Sequence, residues 1–409
     1  MADLYTYFIE KGINLLNKDG IFGIIVANKW MKARYGLPLR EWLQKQNIIS
    51  IIDFGDLPVF ENATTYPCIL LCSRKPIIEG TSVTTIKSLK FNSLENYVLT
   101  NQINLDQKSL GIEEWNISSS KDQELLEKLK SIGIPLGKYV NGKIYRGVLT
   151  GLNEAFVIDS ETKDRILKQD NKASEIIKPY LAGRDIKRYT QPQSDKYLIF
   201  TRRGINIDDY PSIKSHLENY KKFLTPRPKN YSGPKWEGRK PGSYKWYEIQ
   251  DSIEYFTEFE QPKIIYQVFQ VSPCFIWDTK SFYCNNSIWI IPKNDKLLLA
   301  ILNSPLGWYL ISNFCTKIQN GYQLIYKYLE KIPIKGCDLS NLKEKDIHDD
   351  VLKMVDFRLE LENQLHDAKL ETKINQIKAK IDYCEKQINL NIYKLYNLSE
   401  DEIKIIEGK

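Results

Sequence analysis

Three short apolar runs constrain this chain more than any other feature: IFGIIVA at Ile21–Ala27, IISIIDF at Ile48–Phe54 and CILLC at Cys68–Cys72. Each has the length of a strand rather than of a buried helix. Their hydrophobicity is continuous rather than alternating, which predicts strands covered on both faces, as in a parallel sheet. Amphipathic helices are expected between and before them. Residues 3–18 bring Leu4, Tyr7, Phe8, Ile13, Leu15 and Leu16 close to helical spacing and stop at Lys18-Asp19-Gly20, and a second helix falls around Tyr35–Gln46. Helix, strand, helix, strand, loop, strand is the rhythm of a doubly wound α/β sheet. Such a sheet usually opens with a strand and a Gly-rich turn that cradles a cofactor. No such turn occurs, so a partial sheet is expected, with the first half of the α/β domain lying outside this chain.

Beyond Cys72, Val83–Ile86 and Val98–Ile103 read as further strands, and Ile117-Ser118-Ser119 leads into a helix over Lys121–Ser131. The Gly133–Pro135 break then separates this α/β part from the rest of the chain. From Ile134 to Lys335 the pattern is one of short strands punctuated by glycine and aromatics, a mixed α+β region, with helical stretches at Lys296–Phe314 and Leu324–Leu329. Residues 344–396 read as long helices. Ile374, Ile377, Ile381, Cys384 and Ile388 follow a 3-4-3-4 spacing, suited to a helical hairpin or to a coiled-coil dimer. The expected domains are 1–115, 116–336 and a helical segment, 337–409.

A chain of 409 residues has room for two or three domains. No apolar run reaches the ~18–20 residues that span a bilayer, and the N-terminus has no signal-peptide pattern. Seven scattered cysteines, with only Cys68 and Cys72 close together, suggest reduced thiols and a cytoplasmic protein. The three histidines (His216, His348, His366) have no ligand spacing to a cysteine pair, so no metal is expected.

Charge is unevenly spread. Residues 1–131 carry 15 basic and 15 acidic side chains, residues 132–336 carry 31 and 20, and residues 337–409 carry 12 and 16. Within Arg184–Lys245 the balance is 15 to 6. A lysine-rich solvated surface is the plain alternative. The interleaved Trp, Tyr and Gly favour a polyanion, and most simply nucleic acid.

That region opens with GKIYRGVLTGLNEAFVI, Gly142–Ile158. Glycine lets backbone approach a ligand closely, and an adjacent arginine offers a fork of donors for phosphate or guanine. The competing reading is a Gly-rich hairpin closing on the strand-like Ala155–Ile158. Phosphate contacts are expected from Arg184, Lys187, Arg188, Arg202, Arg203, Arg227, Lys229, Lys235, Arg239, Lys240 and Lys245. Arg146, Asn153, Gln267 and Gln270 are candidates for base edges, although Gln267 and Gln270 would lie on opposite faces of a regular strand, and Thr150 of the Gly-rich stretch is a further DNA-binding candidate. Asn230–Tyr247 reads as a mobile loop that orders on DNA, with Trp236 or Trp246 packing on sugar or base.

The run DLYTYFIEKGINLLNKDGIFGIIVANKWM, with YGLPLREWL and IISIIDFGDLPVFENATTYPCILLC after it, resembles the second half of a DNA adenine-N6 methyltransferase of the TaqI-like and type IIG (Eco57I-like) kind. The blocks IPLGKYV, IIKPYLAGRDIKRY, PKIIYQVFQVSPCFIWD, FYCNNSIWIIP and LLLAILNSPLGWYLI resemble, in order, the target-recognition domain of the same enzymes. The tail LNIYKLYNLSEDEIKIIEG resembles their end. The resemblance implies base flipping and S-adenosyl-L-methionine as methyl donor in the parent enzyme, which belongs to a restriction-modification system. It also implies that Phe60, in the Val-Phe pair after Asp53-Phe54-Gly55, stacks on the extruded adenine. Two departures stand out: no Asn-Pro-Pro-Tyr or Asp-Pro-Pro-Tyr occurs in the sequence, and no cofactor turn. This chain is therefore expected not to methylate DNA by itself. It reads as the DNA-recognition portion of such an enzyme or, alternatively, as a non-catalytic specificity subunit that docks a separate catalytic or nuclease chain.

Overall fold

The computed structural model describes residues 3–55, 57–60, 65–77, 80–112, 115 and 120–408. The chain divides into two compact units, Met1–Lys128 and Leu129–Lys409.

The first unit is an α/β sandwich. Helix α1 (Tyr5–Asn14) precedes β1 (Ile21–Ala27), α2 (Leu37–Leu43), β2 (Asn47–Asp53), β3 (Pro67–Ser73), β4 (Thr81–Thr85), α3 (Leu94–Asn101) and β5 (Ile103–Leu105). The strands lie in the order β1-β3-β2-β4-β5. Ile9 and Ile13 of α1 and Leu39 and Leu43 of α2 pack with Trp30, Ile48, Ile51, Leu70 and Val83 in one core. Each such side chain contributes about 1.5–3 kcal/mol on burial.

Two expectations are corrected here. Only β2 and β4 pair in parallel; β1–β3, β2–β3 and β4–β5 are antiparallel. β3 runs back antiparallel between β1 and β2. β1 is accordingly an edge strand, with Ile21 65% and Ile25 43% exposed, not a strand buried on both faces. The second correction concerns Val98–Ile103. Residues 94–101 are helical because Ser93 caps them through Asn96 N, and Leu94, Tyr97 and Val98 pack on Ile52, Phe54 and Ile86. Only Ile103–Leu105 is strand. The Ile117–Ser119 lead-in lies outside the described residues.

Helix α4 (Ser120–Ile132) runs through the division. The second unit continues with β6 (Ile134–Pro135), α5 (Leu136–Tyr139), β7 (Tyr145–Arg146), α6 (Asn153–Phe156), β8 (Val157–Asp159), α7 (Ser160–Gln169), β9 (Ile177–Leu181) and β10 (Lys196–Ile199). Then come α8 (Pro211–Glu218), α9 (Lys221–Leu224), β11 (Lys263–Gln267), β12 (Phe269–Gln270), β13 (Phe275–Asp278), β14 (Tyr283–Cys284) and β15 (Ile288–Ile291). Two four-stranded sheets, β14-β9-β10-β8 and β13-β11-β15-β7, share a core that includes Phe156, Leu198, Phe259, Ile265, Ile276, Tyr283 and Ile290. The Gly-rich stretch is not a hairpin. β7 pairs with β15 far along the chain, and Ala155–Phe156 is helical rather than extended.

The C-terminal third is mostly helical: α10 (Lys296–Asn303), α11 (Pro305–Phe314), β16 (Thr316–Ile318), β17 (Gly321–Gln323), α12 (Tyr326–Leu329), β18 (Pro333–Ile334), α13 (Leu342–Asp367), α14 (Glu371–Leu395) and α15 (Glu400–Glu407). Ser304 ends α10 and caps α11 by accepting from Gly307 N, which splits the expected single helix. α13 and α14 form a hairpin seamed by Leu361, Ile377, Ile381 and Cys384. Arg358, buried in that hairpin, pairs with Glu362 at 2.7 Å and Glu385 at 3.1 Å. Ser399 and Glu402 make the reciprocal cap of α15. No single described helix is long and apolar enough to cross a membrane.

Candidate nucleic-acid interface

The most basic stretch of the second unit is organised by one arginine that points inward. Between Lys221 and Lys245 the sequence has eight basic residues (Lys221, Lys222, Arg227, Lys229, Lys235, Arg239, Lys240, Lys245) and one acidic residue, Glu237. Arg239 is 4% exposed. Its Nε donates to the Leu224 carbonyl at 2.7 Å. Its Nη1 donates to Thr150 and Glu248 carbonyls at 2.9 and 2.8 Å. Its Nη2 donates to Lys245 and Trp246 carbonyls at 3.3 and 2.9 Å. The guanidinium also lies 4.4 Å from the Tyr244 ring centre. Burial pulls its pKa down to about 10, so it stays charged at neutral pH. A rigid planar fork can satisfy this many carbonyls at once, where a lysine cannot.

The clamp shapes the loop between Leu224 and Trp246 and turns the other cations outward. Arg227, Lys229, Lys235, Lys240 and Lys245 are exposed. None of the five forms a salt bridge among the described residues, although Glu248 acts on Lys245, which also lies 5.6 Å over the Tyr247 ring. Lys222 pairs with Glu237 at 2.5 Å, and Lys221 sits 5.0 Å over the Trp246 ring. Trp236 is half-buried: its Nε1 donates to the Thr225 carbonyl at 3.0 Å and its ring meets Tyr231 edge-on. It holds the loop from inside.

The expected phosphate contacts therefore separate into two groups. Lys187 and Arg202 are exposed, with Arg202 lying 5.0 Å over the Phe256 ring. Arg188 and Arg203, like Arg239, work within the fold. Arg188 bonds Glu385 and the Asn303 carbonyl, both at 2.8 Å. Arg203 bonds the Ile249 and Gln250 carbonyls at 2.5 and 2.6 Å. Positive charge in the sequence did not distinguish solvent-facing cations from those that saturate carbonyl clusters. The Arg184 side chain lies outside the described residues.

At the Gly-rich stretch, Arg146 is partly exposed and paired with Asp251 at 2.5 Å. Its neighbour Tyr145 stacks on Tyr255 at 4.5 Å. The glycines serve packing rather than ligand approach. A Cβ on Gly147 would lie 2.1 Å from the Asn285 carbonyl oxygen. Gly151 has φ +84°, and a Cβ there would lie 2.6 Å from Arg239 Cδ. Thr150 is buried, and its hydroxyl donates to Asn153 Oδ1 at 2.7 Å. Asn153 is exposed and keeps its amide NH2 without a partner among the described residues. Gln267 donates to the Gly183 carbonyl. Gln270 is buried and closes a turn by bonding Gln267, Cys274 N and the Cys274 carbonyl.

In the first unit, β1 and β2 end where β3 begins, and Phe60 lies between the end of β2 and the start of β3. Asp53 Oδ1 accepts from Asn28 Nδ2 at 2.8 Å and from Gly55 N at 3.0 Å, which fixes the start of that loop. Gly55 has φ +57° and takes the chain round. Phe60 follows with 45% of its surface exposed. Residues 61–64, in the same loop, lie outside the described residues. No helix follows β1 directly with a Gly-rich turn; Asn28–Met31 is a single tight turn with Trp30 buried. These residues do not form a cradle for S-adenosyl-L-methionine.

Known proteins resemble both parts. Residues 1–60 match the Eco57I restriction-modification methylase family, and residues 178–334 match the TaqI-like C-terminal specificity domain. The type II methyltransferase M.BstVI of Geobacillus stearothermophilus is 27% identical, over 81% of this chain and 61% of that protein. M.PaeR7I of Pseudomonas aeruginosa is 24% identical, over 100% of this chain and 66% of that protein. The combined restriction enzyme and methyltransferase RM.Eco57I of Escherichia coli is also 24% identical, over 99% of this chain and 44% of that protein. The chain thus spans 44% to 66% of the length of these relatives. The structure of the type IIL restriction-modification enzyme MmeI in complex with DNA aligns with TM-score 0.56 at 10% identity, over 99% of this chain and 50% of that one, a likeness of fold. The chain is similar to type II DNA methyltransferases, and residues 178–334 are similar to the TaqI-like specificity domain, as the sequence resemblance implied.

Proposed function

We propose that this chain is the sequence-specific DNA-recognition portion of an adenine-specific DNA methyltransferase of a restriction-modification system. One observation carries the reading: the buried Arg239 clamp, which leaves Arg227, Lys229, Lys235, Lys240 and Lys245 facing solvent. Such an array suits the phosphates of duplex DNA. Exposed Phe60 at the strand ends suits a π-rich wall for an extruded adenine. The methyl donor implied for the enzyme is S-adenosyl-L-methionine, which supplies an electrophilic methyl group. The residues that would hold it are not recognisable in this chain. What this chain's residues do is position duplex DNA and cover the flipped base.

A gel-shift titration with a random-site duplex pool at low and at physiological salt tests this reading. Binding should weaken steeply with salt and should exceed non-specific binding by ~10³ or more on selected sites. Absence of binding at low salt rejects it.

The alternative, a specificity subunit docking a separate catalytic chain, gains support from β1. Among the described residues β1 pairs only with β3, which leaves its outer edge open, and Ile21 and Ile25 are exposed on one face of that strand. Open apolar edges favour strand addition. Co-purification of a methyltransferase chain with this one, lost in an Ile25→Lys variant that retains DNA binding, would favour the subunit reading.

A further inference from the structure

We propose that Asn286 reads an adenine directly, as a specificity-determining residue. The inference rests on the DNA-recognition reading above. Asn286 lies in the turn between β14 and β15, at the end of the β13-β11-β15-β7 sheet where β7 and β11 also finish. The turn is rigid. Asn285 Oδ1 accepts from Ser287 N at 3.1 Å and from Ser287 Oγ at 2.7 Å. Gly147 N donates to the Ile288 carbonyl at 2.8 Å, Val148 N to the Cys284 carbonyl at 2.7 Å, and Val268 N to the Ser287 carbonyl at 3.0 Å. Three hydrogen bonds from two neighbouring segments therefore hold the backbone, and Asn285 and Ser287 are engaged in the turn itself. Asn286 is exposed, and its side chain has no partner among the described residues. Its φ is not among the positive values in the chain, so the backbone does not require asparagine there.

Most of the sequence-predicted amides at this end of the second unit are already engaged. Reading adenine requires one amide to donate to N7 and to accept from N6 at once. Asn153 has its oxygen occupied by Thr150 Oγ1. Gln267 has its nitrogen occupied by the Gly183 carbonyl. Gln270 is buried with both ends engaged. Asn285 has its oxygen committed to the turn. Asn286 alone among these retains both functions on a fixed backbone, which is the preorganisation that base readout needs. The contact of Gly147 with the turn also ties it to the cation loop. Gly147 and Thr150, whose carbonyl Arg239 grips, are separated by no more than ~11 Å of chain.

The test selects binding sites from a random duplex pool with the wild-type chain and with Asn286→Ala. The variant should lose preference at one adenine position by roughly 5- to 150-fold, while the slope of log K against log salt stays the same, because a neutral amide displaces no counterion. Replacing that adenine with deazaadenine, which lacks N7, should weaken wild-type binding by a similar factor and leave the variant unaffected. The inference is overturned if the variant selects the wild-type site with full discrimination, if it loses affinity equally for all sequences, or if wild-type binding ignores the deazaadenine. Wild-type binding without sequence preference overturns it alone. Failure of the wild type to bind any duplex at low salt overturns the recognition reading as well.

Discussion

Two residues carry most of the contrast between structure and function. Arg239 satisfies five backbone carbonyls from inside the protein. Hydrogen bonds to a charged donor contribute ~1.5–3 kcal/mol each by deletion, but bonds from one side chain do not add. Arg239→Met should therefore destabilise the second unit by about 3–5 kcal/mol in urea melts, a large effect tied to orphaned buried carbonyls. A change below ~1 kcal/mol would mean the clamp is not as drawn. Phe60 is the opposite case. At 45% exposure it gives little to the core, so Phe60→Ala should shift stability by no more than ~0.5 kcal/mol. Loss of adenine methylation in the complete enzyme without loss of stability is the outcome that the base-stacking role requires.

Among elements, α6 and α8 are joined by a histidine. His216 Nε2 lies 3.0 Å from the Ala155 carbonyl, and burial lowers its pKa below the ordinary 6.5. The folded state thus binds fewer protons than the unfolded chain once the pH falls below that value. Its contribution to stability is complete above about 6.5 and is lost as pH falls toward the depressed pKa. Thermal melts should show stability declining as pH falls below about 6.5, and His216→Gln should flatten that part of the profile. An unchanged profile would show that His216 does not govern it. The same scale shows where hydrophobic pattern misleads. β1 and β2 are equally apolar runs, yet β1 is an edge and β2 is central. Val98 belongs to a helix because Ser93 caps it, a local bond that outweighs the β-propensity of its neighbours.

For the whole molecule, the electrostatics make a quantitative claim. If the five outward cations of the Arg239-held loop each neutralise a phosphate, log K should fall against log salt with a slope of about −4.5. Replacing Lys235, Lys240 and Lys245 together by Gln should reduce the magnitude of that slope by about 2.7. Fluorescence titration at several salt concentrations measures both values, and a slope near zero in the wild type contradicts phosphate binding by this loop.

The amino-acid sequence alone settled that strands alternate with helices early in the chain, that long helices close it, and that positive charge concentrates between residues 184 and 245. These are properties of neighbours in the chain: spacing, capping and composition. It also carried the resemblance to TaqI-like and Eco57I-like enzymes, because that resemblance resides in ordered local blocks. Tertiary structure decided which way strands run, which glycines make room for backbone, and which arginines face water. Those outcomes depend on partners far apart in sequence, such as Arg146 with Asp251, Gly147 with Asn285 and Arg239 with Thr150. A guanidinium reads the same in a sequence whether it meets solvent or a ring of carbonyls, and only the folded chain brings those carbonyls to it.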